Sequence, residues 1–179
     1  MKLEQTADGS YTLYVPELDE HYHSVKGALT ESQHIFIEMG LKHSPVSEPH
    51  ILEIGLGTGL NAFLTLLSAE ETRRKVHYTG IERYPLAEET LKQLDYPRLI
   101  GKQHEEDYYA IHQAPWDTET EVSPWFTLHK IEDDFTRLFN PVEGSRPAVP
   151  LYDIVYFDAF APDKQPEMWE QSLFDTLYK

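Results

Sequence analysis

Apolar and polar positions along the chain fall into two regimes. Up to about residue 49 the pattern is short and interrupted. Asp8-Gly9 reads as a hairpin turn, and the aromatic and β-branched residues from Tyr11 to Val15 read as the strand after it, ended by Pro16. Residues 17–30 are polar and irregular. Thr30-Glu-Ser-Gln33 then predicts a helix start, with Gln33 at the capping-box position. Ile35, Phe36, Met39 and Leu41 fit one face of that helix, and Gly40 would help close it.

From residue 50 onward short apolar runs alternate with helical periodicity. Strands are predicted over residues 51–54, 76–81, 126–131 and 152–157, and helices over 62–72, 86–94, 134–139 and 166–178. Residues 101–125 show no clear period and read as part helix, part loop. Strands alternating with helices imply parallel βαβ units with right-handed crossovers, so the fold class is α/β with a doubly wound, mostly parallel sheet. The division expected is an N-terminal hairpin and helix extension over 1–49 and a core over 50–179. The chain stops in or just after its last helix, which predicts a C-terminal truncation that removes the last strands of the sheet.

Composition narrows the picture. At 179 residues and 40% apolar content the chain suits one core. No long apolar run or signal-peptide pattern is present, which predicts a soluble, cytoplasmic protein with no membrane partner. The absence of cysteine excludes disulfides and thiolate metal sites. The nine histidines are scattered, with His21-Tyr-His23 the only tight pair, so no metal centre is expected. A formal charge of −16 repels phosphates, and a nucleic-acid substrate would need a local basic patch.

The chemistry concentrates at Glu53-x-Gly55-x-Gly57-x-Gly59, where the first core strand meets the next helix. Glycines let the backbone approach a ligand that a Cβ would exclude, and the turn aims N–H groups and a helix N-terminus at that ligand. A dinucleotide fingerprint would need glycine at position 60, which is Leu60. The acid ahead of G-x-G-x-G is instead the pattern of S-adenosylmethionine (SAM) methyltransferases. The other strand ends carry acids too: Glu82, suited to ribose hydroxyls, then Glu132-Asp133-Asp134 near adenine, then Asp158. Ligands of open α/β sheets bind at those carboxyl ends.

Asp158-Ala-Phe-Ala-Pro-Asp-Lys-Gln-Pro-Glu-Met-Trp169, together with residues 51–61, 80–86 and 27–36, resembles the methyltransferase domain of the MnmC family. The resemblance implies a class I, Rossmann-like SAM methyltransferase fold. It also implies N-methyl transfer from SAM to 5-aminomethyl-2-thiouridine at the tRNA wobble position, giving 5-methylaminomethyl-2-thiouridine. It places Glu53, Gly55, Gly57, Gly59 and Asn61 at the methionine end of SAM, Glu82 at the ribose, and Asp133 or, on spacing, Asp134 at the adenine. Asp158 would be the catalytic carboxylate, with Glu31, Phe160, Pro162 and Lys164 on the substrate side and Tyr22 helping Glu31 close the site. Many family members continue into an FAD-dependent oxidase domain, which nothing here resembles. Alternative readings are a small-molecule methyltransferase or aminopropyltransferase-like enzyme, which the acidic surface suits, and an inactive truncated fragment.

Overall fold

A computed structural model describes residues 1–138 and 151–178 of the chain. Its central sheet has the order β6-β7-β5-β4-β8, built from β4 (His50–Ile54), β5 (Val76–Glu82), β6 (Glu119–Ser123), β7 (Phe126–Glu132) and β8 (Ile154–Phe157). Strands β4, β5, β7 and β8 are parallel, and β6 runs antiparallel to β7. The chain moves outward from β4 to β5 and β7, then crosses back to place β8 on the other side of β4. That reversal makes the carboxyl end of β4 the switch point of the sheet, where a crevice opens between neighbouring loops.

Side chains alternate across the sheet with the period of two that a strand imposes. Ile51, Tyr78 and Tyr156 join the larger core under helices α2 (Leu60–Thr72) and α5 (Glu105–Gln113). Leu52, Ile54 and Ile81 join a smaller core closed by Phe135 of α6 (Phe135–Leu138) and Leu173 of α7 (Gln171–Leu177). Both faces are covered, which is why β4 reads as a near-continuous apolar run. Glu53 breaks that run. The alternation directs it to the α2 side, where it is 1% exposed.

Two clamps fix the N-terminal part. Residues of β1 (Lys2–Gln5), β2 (Tyr11–Val15) and β3 (Glu20–His21) form a separate antiparallel sheet. The turn residue Asp8 accepts hydrogen bonds from Thr6 and Ser10 of its own hairpin, and from the backbone N–H and hydroxyl of Thr30, the two Thr30 bonds at 2.8 Å. Thr30 lies in the first turn of α1 (Ala28–Ser32), so the hairpin supplies the cap that Gly27 cannot. A Cβ on Gly27 would sit 2.5 Å from the Asp8 carboxylate. The second clamp is Arg74, whose guanidinium donates to the carbonyls of Leu41, Ser44 and Val46 and fixes the linker into β4.

The structure corrects several boundaries. The first helix opens at Ala28 rather than Thr30, and Gln33 bonds Glu38 at 3.0 Å instead of closing a capping box. From Gln33 to Glu38 the backbone widens into π geometry, with the Met39 N–H reaching the His34 carbonyl. The wider turn rotates the face: Ile37 and Leu41 are buried, whereas Ile35 and Met39 are 47% and 56% exposed. Strand β6 went unread because Glu-Thr-Glu-Val-Ser has no apolar alternation; its charged residues suit a sheet edge. Strand β3, two residues long, falls in the segment expected to be irregular. Helices α3 (Glu88–Leu94) and α4 (Tyr96–Ile100) follow β5, the first starting two residues later than expected. The last helix is split into a 3-10 turn over Pro166–Trp169 and α7, with Glu170 extended between them. The predicted end of the helix at Phe139 lies outside the described residues.

Burial opposes ionisation of Asp8, but the hydrogen bonds from Ser10 and Thr30 outweigh it and hold the carboxyl well below its usual range. Replacing Asp8 by Ala should therefore lower unfolding free energy by about 1–2 kcal/mol, the usual cost of losing a helix cap. Urea denaturation at pH 7 measures this. The difference between the two proteins should shrink as pH falls below the ordinary carboxylate range, because the protonated acid no longer accepts these bonds.

Candidate active site

The turn out of β4 holds Gly55, Gly57 and Gly59 at φ of 86°, 50° and 72°, left-handed values that strain any other residue. Each glycine also faces a different neighbour. A Cβ on Gly55 would lie 2.5 Å from the Asp158 carbonyl, one on Gly57 3.1 Å from the Tyr22 ring, and one on Gly59 2.7 Å from the His112 ring. The turn is tied to β5 as well, with the Gly55 and Leu56 N–H groups sharing the Ile81 carbonyl at 3.0 Å.

Around this turn opens a cleft of about 1030 Å³ of empty space, solvent at its mouth included. Gly55, Gly57, Glu82, Asp133, Asp134, Asp158 and Phe160 all line it. Glu82, at the end of β5, accepts the Gly57 N–H at 2.9 Å on one oxygen and the Tyr84 N–H at 2.8 Å on the other. Both oxygens keep lone pairs for further donors.

Beyond β7, Asp134 accepts from the N–H and hydroxyl of Thr136 at 2.9 and 2.6 Å and pairs with Arg83 at 2.8 Å. Burial would raise its pKa, but the Thr136 bonds and Arg83 hold it below the usual value. Asp133 accepts the Asp134 N–H at 2.7 Å and lies 3.7 Å from Arg137. These carboxylates thus cap a short helix and meet arginines at the border of the cleft.

Asp158 follows β8 directly, its N–H bonded to the Ile54 carbonyl at 3.1 Å. Burial raises its carboxyl to about 7, with Glu31 adding to the rise and the hydrogen bond from Asn61 opposing it. That bond is 2.9 Å long, and the same Asn61 nitrogen donates to Glu53 at 2.9 Å. Burial and the nearby Asp158 push the Glu53 carboxyl well above the ordinary range. Glu53 and Asn61 stand behind the turn rather than in the cleft lining, as does Gly59.

The N-terminal segment supplies a wall that motif reading placed only through Tyr22. Glu20, His21, Tyr22 and His23 all line the cleft, and the Tyr22 ring meets Phe160 edge to face at 5.3 Å. His23 is buried and bonds the Thr58 hydroxyl at 2.8 Å, pinning this wall to the glycine turn. Glu31 does not line the cleft; it accepts the Ser24 N–H at 2.9 Å and so braces the same segment. Pro162 is exposed, and Lys164 lies 3.8 Å from its neighbour Asp163; neither lines the cleft. Gln165 and Met168 of the same motif do, although the sequence reading gave neither a role. Among the described residues no cluster of His, Cys, Asp or Glu has the geometry of a metal site, and no helix is long and apolar enough to cross a membrane.

Residues 134–179 match the family described as S-adenosyl-L-methionine-dependent methyltransferase. The tRNA 5-methylaminomethyl-2-thiouridine biosynthesis bifunctional protein MnmC of Magnetococcus marinus is 31% identical over 93% of this chain, and that of Idiomarina loihiensis is 30% identical over 89%. The chain is similar to one part of the MnmC proteins. It spans about a quarter of the length of these curated relatives, 25% and 28% respectively. The crystal structure of MNMC2 from Aquifex aeolicus superposes with a TM-score of 0.69 at 24% identity, covering 99% of this chain and 55% of that one. The fold is therefore Rossmann-like, of the SAM-methyltransferase type, as the MnmC resemblance implied.

The buried histidines give a pH dependence. Burial lowers His23 from 6.5 to about 4, and burial together with Lys130 lowers His112 to about 4. The unfolded chain binds these protons first, so the contribution of both rings is present above pH 6.5 and is lost as pH falls towards 4. Buried Asp158 and Glu53, whose carboxyls are raised, act in the opposite sense over this range, so the readout is a difference between two proteins. Relative to a His23→Gln variant, whose amide can still bond Thr58, the parent should lose unfolding free energy as pH falls from 7 to 4.5.

Proposed function

We propose that this chain is a SAM-dependent N-methyltransferase acting on 5-aminomethyl-2-thiouridine at the tRNA wobble position, with 5-methylaminomethyl-2-thiouridine as product. The observation that carries the reading is a largely buried carboxylate, Asp158, at the switch point of a sheet whose relatives are MnmC proteins. The positive-φ glycines and the carboxylate of Glu82 beside them fit an adenosyl cofactor, because a Cβ at Gly55 or Gly57 would disturb the walls of the cleft. In this reading Glu53, Gly55, Gly57, Gly59 and Asn61 form the methionine end, Glu82 receives the ribose hydroxyls, and Asp133 and Asp134 border the adenine.

When bound, SAM supplies a methyl group already activated on a sulfonium. What remains for the protein is to present a nucleophile. An alkylamine is mostly protonated near neutral pH and has no lone pair to attack with. A carboxylate with a pKa near neutrality can accept a hydrogen bond from that ammonium, orient it in line, and take up its proton. Phe160 and Tyr22 wall the side of the cleft from which a base would enter.

The domain reading extends the same proposal: residues 1–49 form an extension that walls the site, and 50–179 form the cofactor-binding core. A tRNA approaching so acidic a chain would meet Arg83 in the cleft lining, with Arg137 beside Asp133 and Lys164 beside Asp163 as further cations for phosphate contacts. The reading places the protein in the cytoplasm with its substrate. The small-molecule, aminopropyltransferase-like and inactive-fragment readings are not favoured by the relatives found.

Calorimetric titration with S-adenosylhomocysteine, with NAD as control, tests the cofactor; binding of the first alone is expected. Glu82→Ala should weaken that binding at least about tenfold, as loss of hydrogen bonds to a charged acceptor does. Asp158→Ala should abolish methyl transfer to tRNA while cofactor affinity stays within a few-fold of the parent. An active Asp158→Ala protein would refute the assignment.

A further inference from the structure

We infer that Asn61 is a positioning residue for Asp158, a single side-chain amide that ties the Asp158 carboxylate to the Glu53 carboxyl and fixes the direction in which Asp158 faces the cleft. The inference deepens the methyl-transfer reading above and rests on it for its catalytic meaning. The geometry itself stands apart from that reading.

The amide of Asn61 has two N–H bonds, and its nitrogen lies 2.9 Å from both Glu53 Oε1 and Asp158 Oδ2. Its own oxygen is buried with no hydrogen-bond partner among the described residues, as is Glu53 Oε2. With the amide so oriented, its nitrogen donates to both carboxyl oxygens at once. The side chain is also held from below. Asn61 is the second residue of α2, is 2% exposed, and its carbonyl accepts the Thr65 hydroxyl at 2.7 Å.

Asp158 needs such a partner. The titratable groups whose charge bears on it are Glu53 of β4, Glu31 of α1, Tyr78 of β5 and Tyr96 of α4. None of these four is cationic. Burial and Glu31 disfavour the ionised carboxylate, and the Asn61 donor works against them. Glu53 has a different part. Burial and the nearby Asp158 push its carboxyl well above the ordinary range, which disfavours a second negative charge beside Asp158, and it accepts an N–H from the same amide. Its position in the strand, opposite Tyr156 in β8, sets the amide at the height of the carboxyl that follows β8.

The test is a 13C carboxyl titration of the chain without cofactor, with the Asp158 resonance assigned by its loss in Asp158→Asn. The parent midpoint is expected at about 7. Asn61→Ala should raise it by about one unit or more, a tenfold gain in proton affinity. An unchanged midpoint in a folded Asn61→Ala protein would overturn the inference. Should that variant not fold, the parent still answers: the Asn61 side-chain 15N resonance should titrate with the Asp158 midpoint, and its protons should exchange slowly. An amide that exchanges freely and ignores the titration would also overturn it.

Activity separates the two readings. If the titrations behave as expected but the parent transfers no methyl group to tRNA, the positioning stands and the proposed function fails. In an active parent, Asn61→Ala should move the acidic limb of the kcat/KM profile upward in step with the carboxyl midpoint.

Discussion

The structure turns on one backbone constraint, the passage of the chain from β4 into α2 between the ends of two neighbouring strands. Three glycines at positive φ make that passage, and each is pressed by a different part of the molecule: Gly55 by the backbone after β8, Gly57 by Tyr22 of the extension, Gly59 by His112 of α5. A turn packed on three sides leaves no room for side chains, and the N–H groups of Gly55, Leu56 and Gly57 are taken up by the Ile81 carbonyl and Glu82, which fixes the turn against β5. The elements that meet there are thereby placed relative to one another. The strand-end carboxylate Asp158, the aromatic wall of Tyr22 and Phe160, and the cover from α5 take their positions from contact with the same few backbone atoms.

A second consequence of this crowding is electrostatic. Excluding water from the space behind the turn raises the cost of a charge on Glu53 there, while Asp158 borders the cleft, and one amide lies between them. Two ionised carboxylates sharing that amide would repel. Sites that need a group able to take up a proton near neutral pH are built this way, by burial balanced against a small number of donors. The acids facing the cleft mouth are treated differently. Glu82, Asp133 and Asp134 are met by backbone N–H groups, a threonine and arginines.

The N-terminal residues belong functionally with the core that follows them. Asp8 joins hairpin to α1, Glu31 braces the segment at Ser24, and His23 bonds Thr58, so a continuous set of hydrogen bonds runs from the first turn of the chain to the glycine turn. None of these bonds is long-range in space, but they cross from the small sheet to the large one. This explains how a hairpin that adds no strand to the central sheet still supplies a wall of the cleft.

Sequence alone determined the alternation of strands and helices in the core, the glycine turn and the acids at the strand ends. Each is a local property: apolar period, missing side chains, or a residue at a fixed offset from a strand. It also identified Asn61 and Glu53 as members of one motif. That the same amide reaches Asp158, distant by 97 positions, is a product of the crossover that returns β8 beside β4. The π turn after α1 likewise escaped local reading, because a widened turn changes which residues share a face without changing their composition. Strand β6 has no apolar signal and exists because β7 offers it an edge to pair with. Pro162 and Lys164 lie outside the cleft lining although Phe160, Ala161 and Gln165 of the same loop are in it, a division that the path of the loop makes and its composition does not show. Local chemistry chose the groups; packing between distant segments decided which of them face one another, since burial and hydrogen-bond partners are set by neighbours in space.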